Sequence, residues 1–136
     1  MDEFALIDII VEAMGDRAQG EWVHLGPGDD AAVITTTPGF DQVASIDVLV
    51  PEVHFPARAP AFLIGYRALM VSLSDLAAMG AAPRYCVVAL TLTESDVGDG
   101  SWLAELSRGM AEAARDSGTY ICGGNMTRGP LNIAVS

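Results

Sequence analysis

The stretch that most constrains the fold is Ala61–Met79, AFLIGYRALMVSLSDLAAM. Apolar residues recur there at helical spacing, from Phe62 and Leu63 through Leu69 and Leu73 to Leu76 and Met79. Gly80 and Pro83 close the exit, so the spacing predicts one long helix ending at Gly80. Asp75 is the anomaly: it is the only ionisable residue between Arg67 and Arg84, and it lies near the helix C-terminus, where the macrodipole disfavours an anion. A carboxylate in so apolar a stretch is costly unless a cation sits beside it. The chain has no lysine and its seven arginines stand singly, so the counter-charge this predicts is a divalent metal.

The rest of the chain alternates between helical and β patterns. Asp2–Met14 places Phe4, Ile7, Ile10, Val11 and Met14 on one face of a short amphipathic helix. Trp22–Leu25 reads as a brief strand, followed by the tight turn GPGDD at Gly26–Asp30. Ala31–Thr36 and Gln42–Val50 are β-like runs; in the second, Ser45 and Asp47 share one side while Ala44, Ile46 and Val48 form an apolar side expected to be buried. Pro51–Pro60 has three prolines and is a loop carrying His54. Arg84–Thr93 is a strand, ESDVGDG a connection, and a second long helix starts near Ser101 and ends at Gly118. Thr119–Cys122 is a short strand entering a glycine-rich loop at Gly123–Pro130, and Leu131–Ser136 begins a last strand. That the chain stops inside a strand suggests a piece of a longer protein. Long helices between strands predict an α+β fold, with helices on one face of a mixed sheet and an open face that a second copy could cover.

At 136 residues this is one domain with enough chain for a core. Eighteen acids against seven arginines give a formal charge of −11, which argues against nucleic acid or an anionic membrane as partner, though not against a magnesium-bound nucleotide. No signal pattern is present and no apolar run reaches the roughly 18 residues of a membrane span, so a cytoplasmic protein is expected. Cys86 and Cys122 sit in strand-like runs without metal-ligand spacing and read as reduced core residues.

Four acids stand out by context: Asp29 and Asp30 in the glycine turn, Asp47 on a strand and Asp75 on the helix. Converging from three elements, such acids could hold magnesium. Each also has a plain alternative: a cap or turn for Asp30, a solvent-facing strand position for Asp47, and an acid satisfied by backbone amides for Asp75. The chain has no GxxxxGK[ST], no HRD and no GxSxG. GGNMTRGP could approach phosphates through its amides or be a simple turn. His24, between Val23 and Leu25, reads as structural.

The ordered set LGPGDDAAV, SIDVLVPEVHF, SLSDLAAMGAAP and GGNMTRGP resembles the N-terminal half of the thiamine-monophosphate kinase family, in the superfamily of aminoimidazole ribonucleotide synthetase and selenophosphate synthetase. The resemblance covers essentially the whole chain. It implies an ATP-dependent kinase making thiamine diphosphate from thiamine monophosphate, using magnesium (Mg2+) held by aspartates. It further implies Asp30, Asp47 and Asp75 as metal ligands with help from Ser45, Gly123–Gly124 and Asn125 near the nucleotide phosphates, and His54 in contact with the thiamine phosphate. It implies a homodimer whose sheets join into a barrel, and a C-terminal α/β domain missing here, so that the chain alone would be a poor catalyst. Position 125 departs from the family pattern: Asn stands where GGD is usual, which keeps an oxygen ligand but removes a charge. Two alternatives accompany this reading, a non-catalytic nucleotide-binding or dimerisation module and another ATP-using member of the superfamily.

Overall fold

The computed structural model describes residues 2–136. Helix α1 (Glu3–Met14) is opened by Asp2, whose carboxylate accepts the Ala5 N–H at 2.8 Å. A 3₁₀ turn at Gly15–Arg17 leads to β1 (Val23–Leu25), which pairs antiparallel with β2 (Val33–Ile34) as a separate ribbon. Then follow β3 (Asp47–Leu49), α2 (Ala61–Ala78), β4 (Tyr85–Leu92), α3 (Glu94–Val97), α4 (Ser101–Ser117), β5 (Tyr120–Arg128) and β6 (Asn132–Val135). The main sheet has the order β3-β6-β4-β5; β4 and β5 run parallel and the other neighbours antiparallel, which makes it mixed, as the sequence pattern predicts.

One face of this sheet carries the core. Cys86, Val88, Leu90 and Leu92 of β4 point inward and join Ile64 and Leu69 of α2 and Leu103, Leu106 and Met110 of α4. The alternate residues Tyr85, Val87 and Ala89 face outward and are exposed. Helices α2 and α4 cross at glycines. A Cβ on Gly65 would fall well inside contact distance of the Leu106 carbonyl oxygen, and one on Gly109 would do the same to Phe62. The two backbones therefore touch.

Three expectations are corrected by this architecture. Helix α2, 18 residues, is long and apolar enough to span a membrane by length and composition alone; a third of it is buried, and Ile64, Ala68 and Leu69 join the core. The two β-like runs shrink to Val33–Ile34 and Asp47–Leu49, and residues 35–46 take no regular structure. In the observed register Asp47 pairs with Val135, Val48 with Ala134 and Leu49 with Ile133. Finally, Gly123–Arg128 is strand, because β4 offers a continuous parallel ladder from Val87↔Gly123 to Leu92↔Arg128; only Gly129–Pro130 remain a turn. Pairing overrides the local preference of the glycines.

The ESDVGDG connection also hides α3, one helical turn with a capping box between Thr93 and Asp96. Both cysteines are free and buried, and the Cys122 Sγ donates to the Cys86 carbonyl at 3.3 Å. Burial pushes both thiols up, away from the reactive thiolate.

Candidate metal and nucleotide site

Asp47 opens β3 and lies on the inner side of the sheet with Leu49, while Ile46 and Val48 are 66% and 46% exposed on the outer side. The expected orientation is thus inverted: the carboxylate turns toward the helices and the apolar residues toward the open face. Its Oδ2 is buried and has no hydrogen-bond partner among the described residues. An orphaned carboxylate oxygen of this kind costs about 1–3 kcal/mol unless a donor or cation meets it.

Asp75 is exposed on α2 and has no ion-pair partner among the described residues, so the cost argument that singled it out does not hold for this chain. Asp29 and Asp30 are exposed after Gly28, whose φ of 112° requires glycine. Asp29 shapes the turn, its Oδ1 accepting the Asp30 N–H at 2.8 Å. Ser45 borders a cavity of about 450 Å³ between residues 35–45 and the end of α2, walled also by Trp22, Leu76 and Arg84. Its carbonyl accepts the Ser136 hydroxyl at 3.0 Å.

Asn125 lies elsewhere. A β-bulge inserts Cys122 between the pairs Cys86↔Ile121 and Val87↔Gly123, and beyond it Asn125 sits opposite Ala89 on the outer face. Asp47 and Asn125 therefore occupy opposite faces and opposite edges, three strand spacings or about 14 Å apart. Among the described residues no three His, Cys, Asp or Glu side chains gather into a group that could hold a metal. The predicted carboxylates are placed near the ends of separate elements and not assembled into one cage.

The two glycines before Asn125 differ. A Cβ on Gly123 would meet nothing nearer than 3.9 Å, whereas one on Gly124 would collide with the Val88 carbonyl. Gly124→Ala is expected to cost about 2 kcal/mol and Gly123→Ala under about 0.5 kcal/mol, read from urea midpoints. Equal costs would mean that the β4–β5 ladder yields at this point.

His54 sits in the loop between β3 and α2. Its Nδ1 accepts the Val50 N–H at 3.0 Å, and its carbonyl accepts the Arg67 Nε–H at 2.9 Å. Sequence reasoning missed Arg67; the available signal was that it is the only basic residue on α2.

The family model for AIR synthase related protein, N-terminal domain, matches residues 28–136. The chain belongs to this family. Among curated relatives, the AIR synthase related domain here is 40% identical over 111 residues to the thiamine-monophosphate kinase of Synechococcus elongatus, covering 80% of this chain and 33% of that one. It is 40% identical over 114 residues to the thiamine-monophosphate kinase of Escherichia coli, covering 83% and 34%. The chain thus spans about a third of the length of these relatives. The solved thiamine-monophosphate kinase of Stenotrophomonas maltophilia superposes with a TM-score of 0.81 at 39% identity, over 99% of this chain and 41% of that one. A structure described as AaThiL complexed with AMPPCP and TMP superposes at 0.62 with 25% identity, over 98% and 40%.

Proposed function

We propose that this domain is the metal- and nucleotide-binding N-terminal part, residues 1–136, of a thiamine-monophosphate kinase that turns thiamine monophosphate and ATP into thiamine diphosphate and ADP. The observation that carries the reading is the buried, unpartnered Oδ2 of Asp47, an anion placed where only a cation or donor can satisfy it. The names of the relatives supply the substrate class. Magnesium tied to nucleotide phosphates needs only one or two protein carboxylates, with phosphate and water oxygens completing its shell, so separate acids fit it without a three-carboxylate cage. Asp30, Asp47 and Asp75 would hold several such ions separately, assisted by Ser45. When bound, magnesium supplies positive charge against the transferred phosphoryl group.

The chain's own residues orient the reactants. His54 contacts the acceptor phosphate, and the Gly123–Gly124 amides with Asn125 approach the nucleotide. An ionised oxygen of thiamine monophosphate attacks the γ-phosphorus as the bond to the ADP oxygen breaks. That oxygen needs no protein base, which leaves positioning and electrostatics as the work of the site. Ile46, Val48, Val87 and Ala89 leave the outer sheet face apolar, and a second copy closing it into a barrel would bring Asn125 under cover. Sedimentation at micromolar concentration is expected to give a dimer; a monomer counts against this part. A C-terminal domain completes both substrate pockets.

Calorimetric titration of Mg·ATP, with and without EDTA, tests the core of the reading: binding is expected and EDTA should remove it. Asn125→Asp, restoring the charge usual in the family loop, should tighten that binding about tenfold, or about 1.4 kcal/mol. A second reading, a non-catalytic nucleotide-binding module, draws on Asn125 and on the absence of a three-carboxylate group among the described residues. It predicts that Asn125→Asp leaves affinity unchanged and that the full-length protein turns over no thiamine monophosphate.

A further inference from the structure

Arg67 is the one side chain of α2 that hydrogen-bonds the preceding loop among the described residues, and it reaches the backbone of the residue proposed to touch substrate. The loop is already closed on itself. The His54 N–H donates to the Val50 carbonyl, while the Val50 N–H donates to His54 Nδ1, each at 3.0 Å. Glu52 holds a positive φ of 62°, its N–H donating to the Phe55 carbonyl and its carboxylate accepting the Ala57 N–H, both at 2.7 Å. Phe55 is anchored in the core at 5% exposure.

These bonds decide the chemistry His54 presents. A ring nitrogen that accepts a backbone N–H carries no proton, so in the neutral ring Nε2 is the donor. The arrangement offers an N–H to an anion instead of a lone pair to a metal or a proton. It holds only while the peptide at His54 keeps its orientation, and the Arg67 Nε–H fixes the carbonyl of that peptide. A guanidinium has five donors, and no carboxylate pairs with Arg67 among the described residues. Arg67 and His54 both line one cleft, together with Phe55, Pro56, Leu63 and Ile64.

We infer that Arg67 is a positioning residue for His54: it locks the loop so that His54 offers an Nε2–H donor toward the phosphate monoester of the acceptor. The substrate part of this inference rests on the kinase reading; the tautomer part does not.

The test uses the 136-residue chain labelled with 15N at histidine, in a His24→Gln background so that only one ring is seen. Long-range proton–nitrogen correlations report which ring nitrogen is protonated. The unsubstituted site should show Nδ1 free and Nε2 protonated. Arg67→Met keeps the apolar stem but removes every donor, and should give a mixture of both tautomers. Arg67→Lys, which restores one donor, should recover most of the original state. Arg67 with a purely structural role would lower the melting temperature in Arg67→Met without moving the ring signals, and that result overturns the inference, as does an Nδ1-protonated ring at the outset. Thiamine monophosphate titrated into the same samples should bind about tenfold more weakly to Arg67→Met. A tautomer shift without thiamine monophosphate binding to any sample keeps the positioning role and removes the acceptor-phosphate contact from this part of the protein.

Discussion

Gly109→Ala lowers the unfolding free energy by about 3 kcal/mol, the upper end of what overpacking costs. Two effects oppose each other at this position. In the middle of α4, alanine is the better helix former by about 1 kcal/mol. Against that gain stands the new methyl group, which meets the backbone of Phe62 and not a side chain that could change rotamer. Relief requires α2 to move away from α4, which opens the contacts of Ile64, Leu69, Leu106 and Met110 together. Gly65→Ala approaches the same crossing from the other helix, through the Leu106 carbonyl, and should cost a similar amount. The double substitution should cost less than the sum, since a single displacement relieves both clashes. Urea unfolding monitored by circular dichroism measures it, as a midpoint shift at constant slope. A loss below about 0.5 kcal/mol in either single variant would mean that the helices slide apart freely.

Asp47→Asn abolishes Mg·ATP binding while leaving the free domain at least as stable. A buried oxygen without a partner stabilises nothing in the free chain, so removing its charge carries no folding penalty. The bound state behaves in the opposite way, because there the anion meets its counter-charge. Wild-type protein at a ligand concentration of about 100 times Kd gains about 2.7 kcal/mol by mass action. The variant gains none. Thermal denaturation with and without Mg·ATP separates the two states in one experiment. A melting shift by Mg·ATP in Asp47→Asn equal to that of the wild type would remove Asp47 from the site, and a large loss of stability in the free variant would assign it a structural role.

The helices were legible in the sequence because their signals are local. Asp2, Gly80 and Gly118 mark ends close to those observed for α1, α2 and α4, and the β propensity of Arg84–Thr93 yields β4 at Tyr85–Leu92. The short strands and the glycine segment were not legible, since whether Gly123–Arg128 extends depends on β4, more than thirty residues upstream. The candidate site residues were chosen by type and context, and their mutual placement was not legible. Asp75 looked buried from its neighbours, yet the helix turns it outward, and Asp47 looked outward because Ile46 and Val48 are apolar, yet their side of the sheet is the open one. Arg67 escaped notice because a bond to a carbonyl leaves no trace in side-chain spacing.

The bulge at Cys122 acts as a parity bit. A strand knows only two side-chain phases, and one supernumerary residue exchanges them for everything downstream while the ladder continues. Deleting Cys122 would join Ile121 to Gly123 in an unbroken ladder and leave Asn125 opposite Ala89 on the outer face. Deleting a second residue, with no bulge left to absorb it, would send Asn125 and Thr127 beneath the helices. Related chains one residue shorter at this point should therefore keep the pattern of polar and apolar residues after it and lack only the bulge.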